Sequence, residues 1–460
     1  MTTPWTYAPE LLTDLYELTM AASYLQEGMT EEATFSLFIR SYPANRAYFV
    51  SAGLEHLVET VTQLSFRDSS LRYLASLEKF DEKFLNYLQG FRFSGTIRAI
   101  PEGRIFFVQE PILEVTAPLI EGQILETMIL NTIQLETLIA SKAARCVHAA
   151  RGRDLVDFSL RRTHGMDAGL KAARGSYIVG FLGTSNLMAG KRYGIPVFGT
   201  MAHSYVTSFE SEMDAFAAYS RAFPQNTVLL IDTYDTLSGA HKAVELARQM
   251  RAEGKELAGV RLDSGDMAQL SKKVREILVG GGFPQVKILA SGNLDEFKVE
   301  ELVRSGAEID VFAVGTRMGV SADAPYFDIA YKLVEYKGKP VLKLSTGKRT
   351  WVGKKQVYRF YDEKGEMKED RVSLAWEECP GAEPLLEKVV EGGRPARPPE
   401  TLTTIRERFM QEWDALPLVV RDLRPRLHYP VSLSAELEDL QERMALEASR
   451  REIRPGPVCR

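Results

Sequence analysis

The residues best suited to chemistry begin at Gly183. Gly183-Thr-Ser-Asn-Leu-Met-Ala-Gly190 is a small-residue turn of the kind that receives phosphate oxygens, and Pro196-Val-Phe-Gly-Thr-Met-Ala-His-Ser204 brings His203 to the end of an apolar run. A neutral imidazole is available near pH 7, and when a carboxylate holds one ring nitrogen the other becomes a nucleophile or general base. Asp232, at the end of Val228-Leu-Leu-Ile-Asp232, is the acid expected to orient it. A histidine near a strand end can equally be a satisfied polar residue; the neighbouring acid and phosphate turns shift the reading towards chemistry. His56, His148, His241 and His428 have no such setting, and His164 in Arg161-Arg-Thr-His-Gly165 is a second candidate.

A second constellation is Arg261-Leu-Asp-Ser-Gly-Asp266. On a strand, Arg261 and Asp263 point to the same face. Arg261 could clamp a phosphate through paired hydrogen bonds, Asp263 could accept from ribose hydroxyls or hold Mg²⁺, and Ser264-Gly265 would expose backbone N–H groups. A structural Arg–Asp pair at a turn would look the same. The further small-residue turns Ser291-Gly292-Asn293 and Gly315-Thr316 favour a phosphate cradle, because small residues let a ligand approach the backbone and a helix N-terminus adds a favourable dipole. Phe158, followed by Arg161 and Arg162, could stack on a flat ring while an arginine faces an anionic group. A core phenylalanine with surface arginines is the alternative.

These residues need elements that bring them to one place. Apolar runs at Leu155 to Phe158, Tyr177 to Leu182, Val228 to Ile231, Gly259 to Leu262, Val286 to Ala290 and Val311 to Val314 read as strands. Helical patterns lie between them at Ala240 to Arg251, Met267 to Leu278 and Asp295 to Arg304. Continuous apolar runs mark parallel strands covered on both faces. The expected fold is α/β: an irregular (β/α) barrel, whose strand ends converge on one mouth, joined to an α/β sandwich. The sandwich is assigned to residues 1–135, the barrel to 136–335, and 336–460 to a segment completing the sandwich plus terminal helices. A long helix, Ile124 to Arg145, is placed between the first two. Lys332 to Arg359 reads as lysine- and arginine-rich hairpins, either a basic rim for a polyanion or solvated edges that resist aggregation.

Composition narrows the class of protein. The chain has 460 residues, 45% of them apolar, and a formal net charge of −5. Two domains are expected at this length, and the charge gives no support to a nucleic-acid footprint. Met1-Thr-Thr-Pro-Trp5 begins no export signal, and no run is long and apolar enough to span a membrane. Cys146, Cys379 and Cys459 are widely spaced, with no CxxC, so neither a disulfide framework nor a zinc site is expected and a cytoplasmic setting fits.

Taken in order, Thr13-Asp-Leu-Tyr-Glu17, Phe38-Ile-Arg40 with Asn45-Arg46, Asp157-Phe-Ser-Leu-Arg-Arg162, Gly183-Thr-Ser-Asn186, Gly199-Thr-Met-Ala-His-Ser204, Arg261-Leu-Asp-Ser-Gly-Asp266 and Gly315-Thr316 closely resemble nicotinate phosphoribosyltransferase. The resemblance implies a type II phosphoribosyltransferase fold. It implies joining of nicotinate to 5-phosphoribosyl 1-diphosphate, giving nicotinate mononucleotide and diphosphate for NAD salvage, with ATP hydrolysis coupled through a phosphohistidine at His203, and Mg²⁺ as cofactor. By the same resemblance Phe158 stacks on the pyridine, Tyr16 comes from the second subunit of a homodimer to the other face, and Arg161 lies near base and phosphate. Arg261 and Asp263 bind phosphate and ribose, and Gly292, Asn293, Gly315 and Thr316 hold the 5′-phosphate. Nicotinamide-using relatives carry an acid in the turn matched by Gly183 to Asn186; Thr184, Ser185 and Asn186 are neutral and would not repel a carboxylate. A nicotinamide or quinolinate phosphoribosyltransferase, and a non-catalytic barrel that binds a phosphate ligand, stay open as alternatives.

Overall fold

The computed structural model describes residues 8–344 and 350–452. The chain divides into two compact units, one formed by residues up to 138 together with those from 326 onward, the other by 139–325. Ser345 to Lys348, Arg454 to Arg460 and Cys459 lie outside the described residues.

The 139–325 unit is built on a six-stranded parallel sheet: Asp154–Asp157, Gly183–Thr184, Thr227–Leu230, Leu257–Leu262, Lys287–Ala290 and Val311–Val314. Numbered in that order, the strands lie 2-1-6-5-4-3 across the sheet. Strands three to six are sequential neighbours, and the sixth pairs with the first, Val314 opposite Asp157. Pairing of first with last curls the sheet into an irregular α/β half-barrel whose opening falls between the second and third strands. Leu229, Leu230, Val260, Leu262, Ile288, Ala290, Phe312 and Val314 are all buried, which is why these strands read as unbroken apolar runs.

One run differs from its expected element. Tyr177 to Leu182 is not a strand: helix Met166–Ile178 takes its first residues, and the strand is only Gly183–Thr184. Ile178, Val179 and Phe181 are buried at the helix end, and Gly180, at φ +124°, turns the chain before the strand. A short buried apolar run has no periodicity to separate the two states.

The helices after the strands start on side-chain caps. Asn186 accepts from the N–H groups of Met188 and Ala189, Asp235 from Ser238, Asp266 from Gln269 and Asp295 from Lys298. Each cap satisfies N–H groups that the first turn of a helix leaves open. Four of the polar residues that follow strands are therefore anchors of the helices.

In the other unit, a seven-stranded sheet runs Lys339–Pro340, Ile329–Tyr336, Glu32–Ile39, Leu113–Pro118, Thr96–Ala99, Glu387–Glu391, Arg394–Pro395, and a four-stranded sheet holds Lys355–Tyr361 between Glu383–Pro384 and Met367–Leu374. Buried Arg359 donates to both carboxylate oxygens of Asp370 at 2.9 and 2.6 Å, to Glu412 at 2.6 Å and to the carbonyl of Ile105. Three lysines of the stretch from Lys332 to Arg359 are paired: Lys337 with Glu31, Lys354 with Glu32 and Glu335, buried Lys355 with Glu114. The turn between the first two strands of that region, Lys337-Gly338, has both residues at positive φ, as a tight hairpin requires.

Candidate active site

Strand ends of the 139–325 unit supply most of the candidate residues. At the fourth strand, Arg261 donates through Nη1 to the hydroxyl of Thr200, while its Nε is buried without a hydrogen-bond partner. Burial pushes its guanidinium down from the usual arginine value; Asp263 and Asp232 pull the other way, and the nearby positive charge of Arg161 pushes it down further. Two guanidinium groups that feel one another across a partly dry site favour an anionic ligand between them. Arg161 sits on the exposed short 3₁₀ turn Leu160–Arg162, three residues after half-buried Phe158.

Asp263 is held from two sides. Its N–H donates to Asp232 Oδ2 at 2.9 Å, and its Oδ1 accepts from the Ser291 hydroxyl at 2.5 Å. The Ser264 hydroxyl donates to the same Asp232 oxygen at 2.7 Å, and Gly265 takes φ +82°. Asp232 is thus committed to the Asp263–Ser264 turn. The expected contact between Asp232 and His203 is replaced by a neighbour: His203 Nδ1 lies 3.1 Å from Thr233 Oγ1. Asp232 Oδ2 accepts from both donors of the Asp263–Ser264 turn, and Oδ1 is buried without making a hydrogen bond to the imidazole.

The loops after the fifth and sixth strands fit tightly. A Cβ on Gly292 would stand 2.2 Å from the carbonyl oxygen of Asp263, and Gly292 and Asn293 both take positive φ, +92° and +50°. Gly315 approaches the Phe158 carbonyl, where a Cβ would stand at 3.0 Å, and precedes the helical turn Thr316–Gly319. Asn293 and Thr316 are exposed. Arg317, adjacent to Thr316, donates to the capping Asp295 at 2.6 Å. His203 begins the short helix His203–Thr207, fixed by fully buried Val206 and by Tyr205, whose ring packs edge-on against Tyr219.

Two side chains of the Gly183–Asn186 turn, Thr184 and Asn186, are committed to partners within the protein. Thr184 donates at 2.7 Å to Asp157, which also accepts from the Ser159 N–H; burial raises the Asp157 carboxyl above its usual range. Asn186 caps its helix and donates to the Gly169 carbonyl. Gly183 is required because a Cβ there would meet the Pro196 carbonyl at 2.1 Å. Ser185, half-buried, is the remaining member. Tyr16 lies in the other unit, on helix Leu15–Gln26, about half exposed beside Leu12 and Leu15. Two contributors were missed in the sequence: Thr200 and Thr233. Each adjoins a residue that had been singled out, and its position just beyond a strand or before the histidine was the available signal.

Parallel strands whose carboxyl ends carry a largely buried arginine, a pinned aspartate, glycine turns and a histidine fit the phosphoribosyltransferase class. Comparisons with known proteins make that class specific. Residues 11–134 match the nicotinate phosphoribosyltransferase N-terminal domain, and 154–364 match the nicotinate phosphoribosyltransferase family. Nicotinate phosphoribosyltransferase pncB2 of Mycobacterium tuberculosis is 45% identical over 448 residues, covering 97% of this chain and 96% of the relative. The Bacillus subtilis nicotinate phosphoribosyltransferase is 41% identical over 77% of this chain and 73% of its own length. The crystal structure of human nicotinic acid phosphoribosyltransferase superposes with a TM-score of 0.86 at 30% identity, covering 94% of this chain and all of that one. The chain belongs to the nicotinate phosphoribosyltransferase family.

Proposed function

We propose that the protein transfers the 5-phosphoribosyl group of 5-phosphoribosyl 1-diphosphate to nicotinate, releasing nicotinate mononucleotide and diphosphate, and couples the transfer to ATP hydrolysis through a phosphohistidine at His203. Cleavage of the C1–O bond develops positive charge on the ribose and negative charge on the leaving diphosphate, so the protein chiefly supplies fixed cations and donors. The pyridine nitrogen is the nucleophile. Arg261 and Arg161 face the anionic groups, Asp263 the ribose hydroxyls, the Gly292-Asn293 and Gly315-Thr316 turns the 5′-phosphate, and Phe158 the pyridine ring. The observation that carries this reading is Arg261: a largely buried guanidinium with an open Nε and a second arginine close by, between loops pinned at Asp263. Neutral Ser185, with the Thr184 hydroxyl already given to Asp157, favours a carboxylate-bearing ring.

Mg²⁺ fits as an ion carried on the diphosphate. The described residues contain no cluster of three or more His, Cys, Asp or Glu placed for a metal, but Asp232 Oδ1 is buried without a partner, and Mg²⁺ commonly takes one or two carboxylates together with substrate phosphates. Bound there, it would neutralise charge developing on the leaving group. A homodimer in which the partner subunit's Tyr16 covers the pyridine is supported by the exposed apolar group Leu12, Leu15 and Tyr16. No helix among the described residues is long and apolar enough to cross a membrane, and we assign the enzyme to the cytoplasm. The test is formation of nicotinate mononucleotide with and without ATP, with nicotinamide and quinolinate in parallel. His203→Ala is expected to abolish ATP stimulation and ATPase activity while leaving a slow ATP-independent transfer. Equal loss of both activities would place His203 in the transfer step, and preference for nicotinamide would overturn the choice of base.

A further inference from the structure

We propose that Thr233 is the positioning residue that decides which imidazole nitrogen of His203 accepts a phosphoryl group, holding Nδ1 and leaving Nε2 to react. The proposal rests on the phosphohistidine reading above and adds the identity of the reacting atom. Thr233 Oγ1 is the hydrogen-bond partner of His203 Nδ1, at 3.1 Å. The acid next in sequence does not take that place: Asp232 Oδ2 is held by the Asp263 N–H and the Ser264 hydroxyl, and Oδ1 makes no hydrogen bond.

Thr233 is well placed to hold a ring. It lies on the short connection between strand Thr227–Leu230 and helix Thr236–Ala252, and both ends of that connection are anchored: Asp232 on the Asp263–Ser264 turn, Asp235 on the Ser238 N–H at 2.8 Å. A β-branched side chain on a fixed backbone has few rotamers, so its hydroxyl is presented in one direction. The histidine is fixed from its own side by buried Val206 and by the packing of Tyr205 on Tyr219.

Chemistry sets the direction of the bond. A nitrogen that attacks phosphorus needs its lone pair, so the ring proton must sit on the other nitrogen. With the proton on Nδ1, that N–H donates to Thr233 Oγ1, the tautomer is selected, and Nε2 is nucleophilic. Nε2 then attacks the γ-phosphorus of ATP. An N–P bond forms, the bond from γ-phosphorus to the β–γ bridging oxygen breaks, its electron pair leaves with ADP, and the proton stays on Nδ1.

The experiment is ³¹P NMR of the phosphoenzyme formed with ATP and denatured in alkali, which separates the two phosphohistidine isomers, together with rapid-quench rates of phosphoenzyme formation. Wild type should carry phosphate on Nε2 alone. Thr233→Val should form phosphoenzyme about tenfold more slowly, the equivalent of about 1.4 kcal/mol, and give a mixture of isomers; Thr233→Ser should restore both rate and isomer. Phosphate on Nδ1 of wild type, which needs no variant to observe, would overturn the proposal, as would a Thr233→Val enzyme with wild-type rate and isomer. Absence of any phosphoenzyme in wild type would instead remove the phosphohistidine reading itself, and this proposal with it.

Discussion

Replacing Gly292 with alanine tests the proposed phosphate cradle at its tightest point. The residue stands at φ +92°, and its missing Cβ would lie 2.2 Å from the carbonyl oxygen of Asp263. Left-handed backbone costs a non-glycine residue about 1–2 kcal/mol. Ordinary contact begins at 3.4 Å, so the loops after the fourth and fifth strands must part by 3.4 − 2.2 = 1.2 Å. A forced repacking of this kind costs a further 1–3 kcal/mol, roughly, and the adjacent Ser291–Asp263 hydrogen bond would be stretched, worth about 1 kcal/mol more. The expected loss is about 3–6 kcal/mol in urea unfolding. Because a displacement of about 1 Å can cost about a hundredfold in rate, kcat/KM for the phosphoribosyl donor should fall by that order. Gly254 supplies the control: it takes φ +72°, and a Cβ there meets nothing within 4 Å. Gly254→Ala should show only the backbone cost of about 1–2 kcal/mol and full activity. If the two variants were equally stable and Gly292→Ala kept wild-type kcat/KM, the close approach of these loops would have no bearing on the donor site.

Two further expectations concern the buried ionic network of the other unit. Arg359→Met should lower stability by about 3–5 kcal/mol, because Asp370 and Glu412 lose their shared counter-ion inside the protein; thermal unfolding that shifts by less than about 1 kcal/mol in equivalent stability would contradict this. Glu110, fully buried near Asp370, has its carboxyl pushed well above the ordinary value of 4.5 by burial and by that neighbouring charge, with Arg359 opposing. The folded chain therefore binds more protons than the unfolded one above about pH 4.5, so this contribution to stability is complete below that pH and is lost as pH rises towards the folded-state value. Glu110→Gln, which can still accept from the Phe107 N–H, should flatten the fall in urea midpoint between acidic and alkaline pH and should be no less stable than wild type at the alkaline end. A variant with an unchanged pH slope would exclude Glu110 as its source.

Much of the architecture could be read from sequence because burial on both faces leaves an unmistakable mark. Val311–Val314 matches its apolar run residue for residue, and Met267–Gly280 begins where its periodicity does. The run from Tyr177 failed for the same reason that the others succeeded: a buried helix end and a buried strand are equally apolar, and Gly180 hid the boundary between them. Polar residues after the strands were harder. A helix cap and a ligand-binding group are both short, polar and located just after a strand, so Asn186 reads as a site residue while its side chain caps a helix.

The chain's sequence by itself determined its family, the order of its strands and helices, and the residue types available at each strand end, since these depend on local pattern and on motifs in series. Only the tertiary structure decided which side chain meets which. Thr233 rather than Asp232 holds His203, Thr200 receives Arg261, and Thr184 is turned onto Asp157. Each of these bonds joins separate segments of the chain, and a rotation that exchanges adjacent side chains leaves the local sequence pattern unchanged. Asp232 shows the outcome: its Oδ2 accepts from the Asp263–Ser264 turn, while the imidazole is bonded to the threonine beside it.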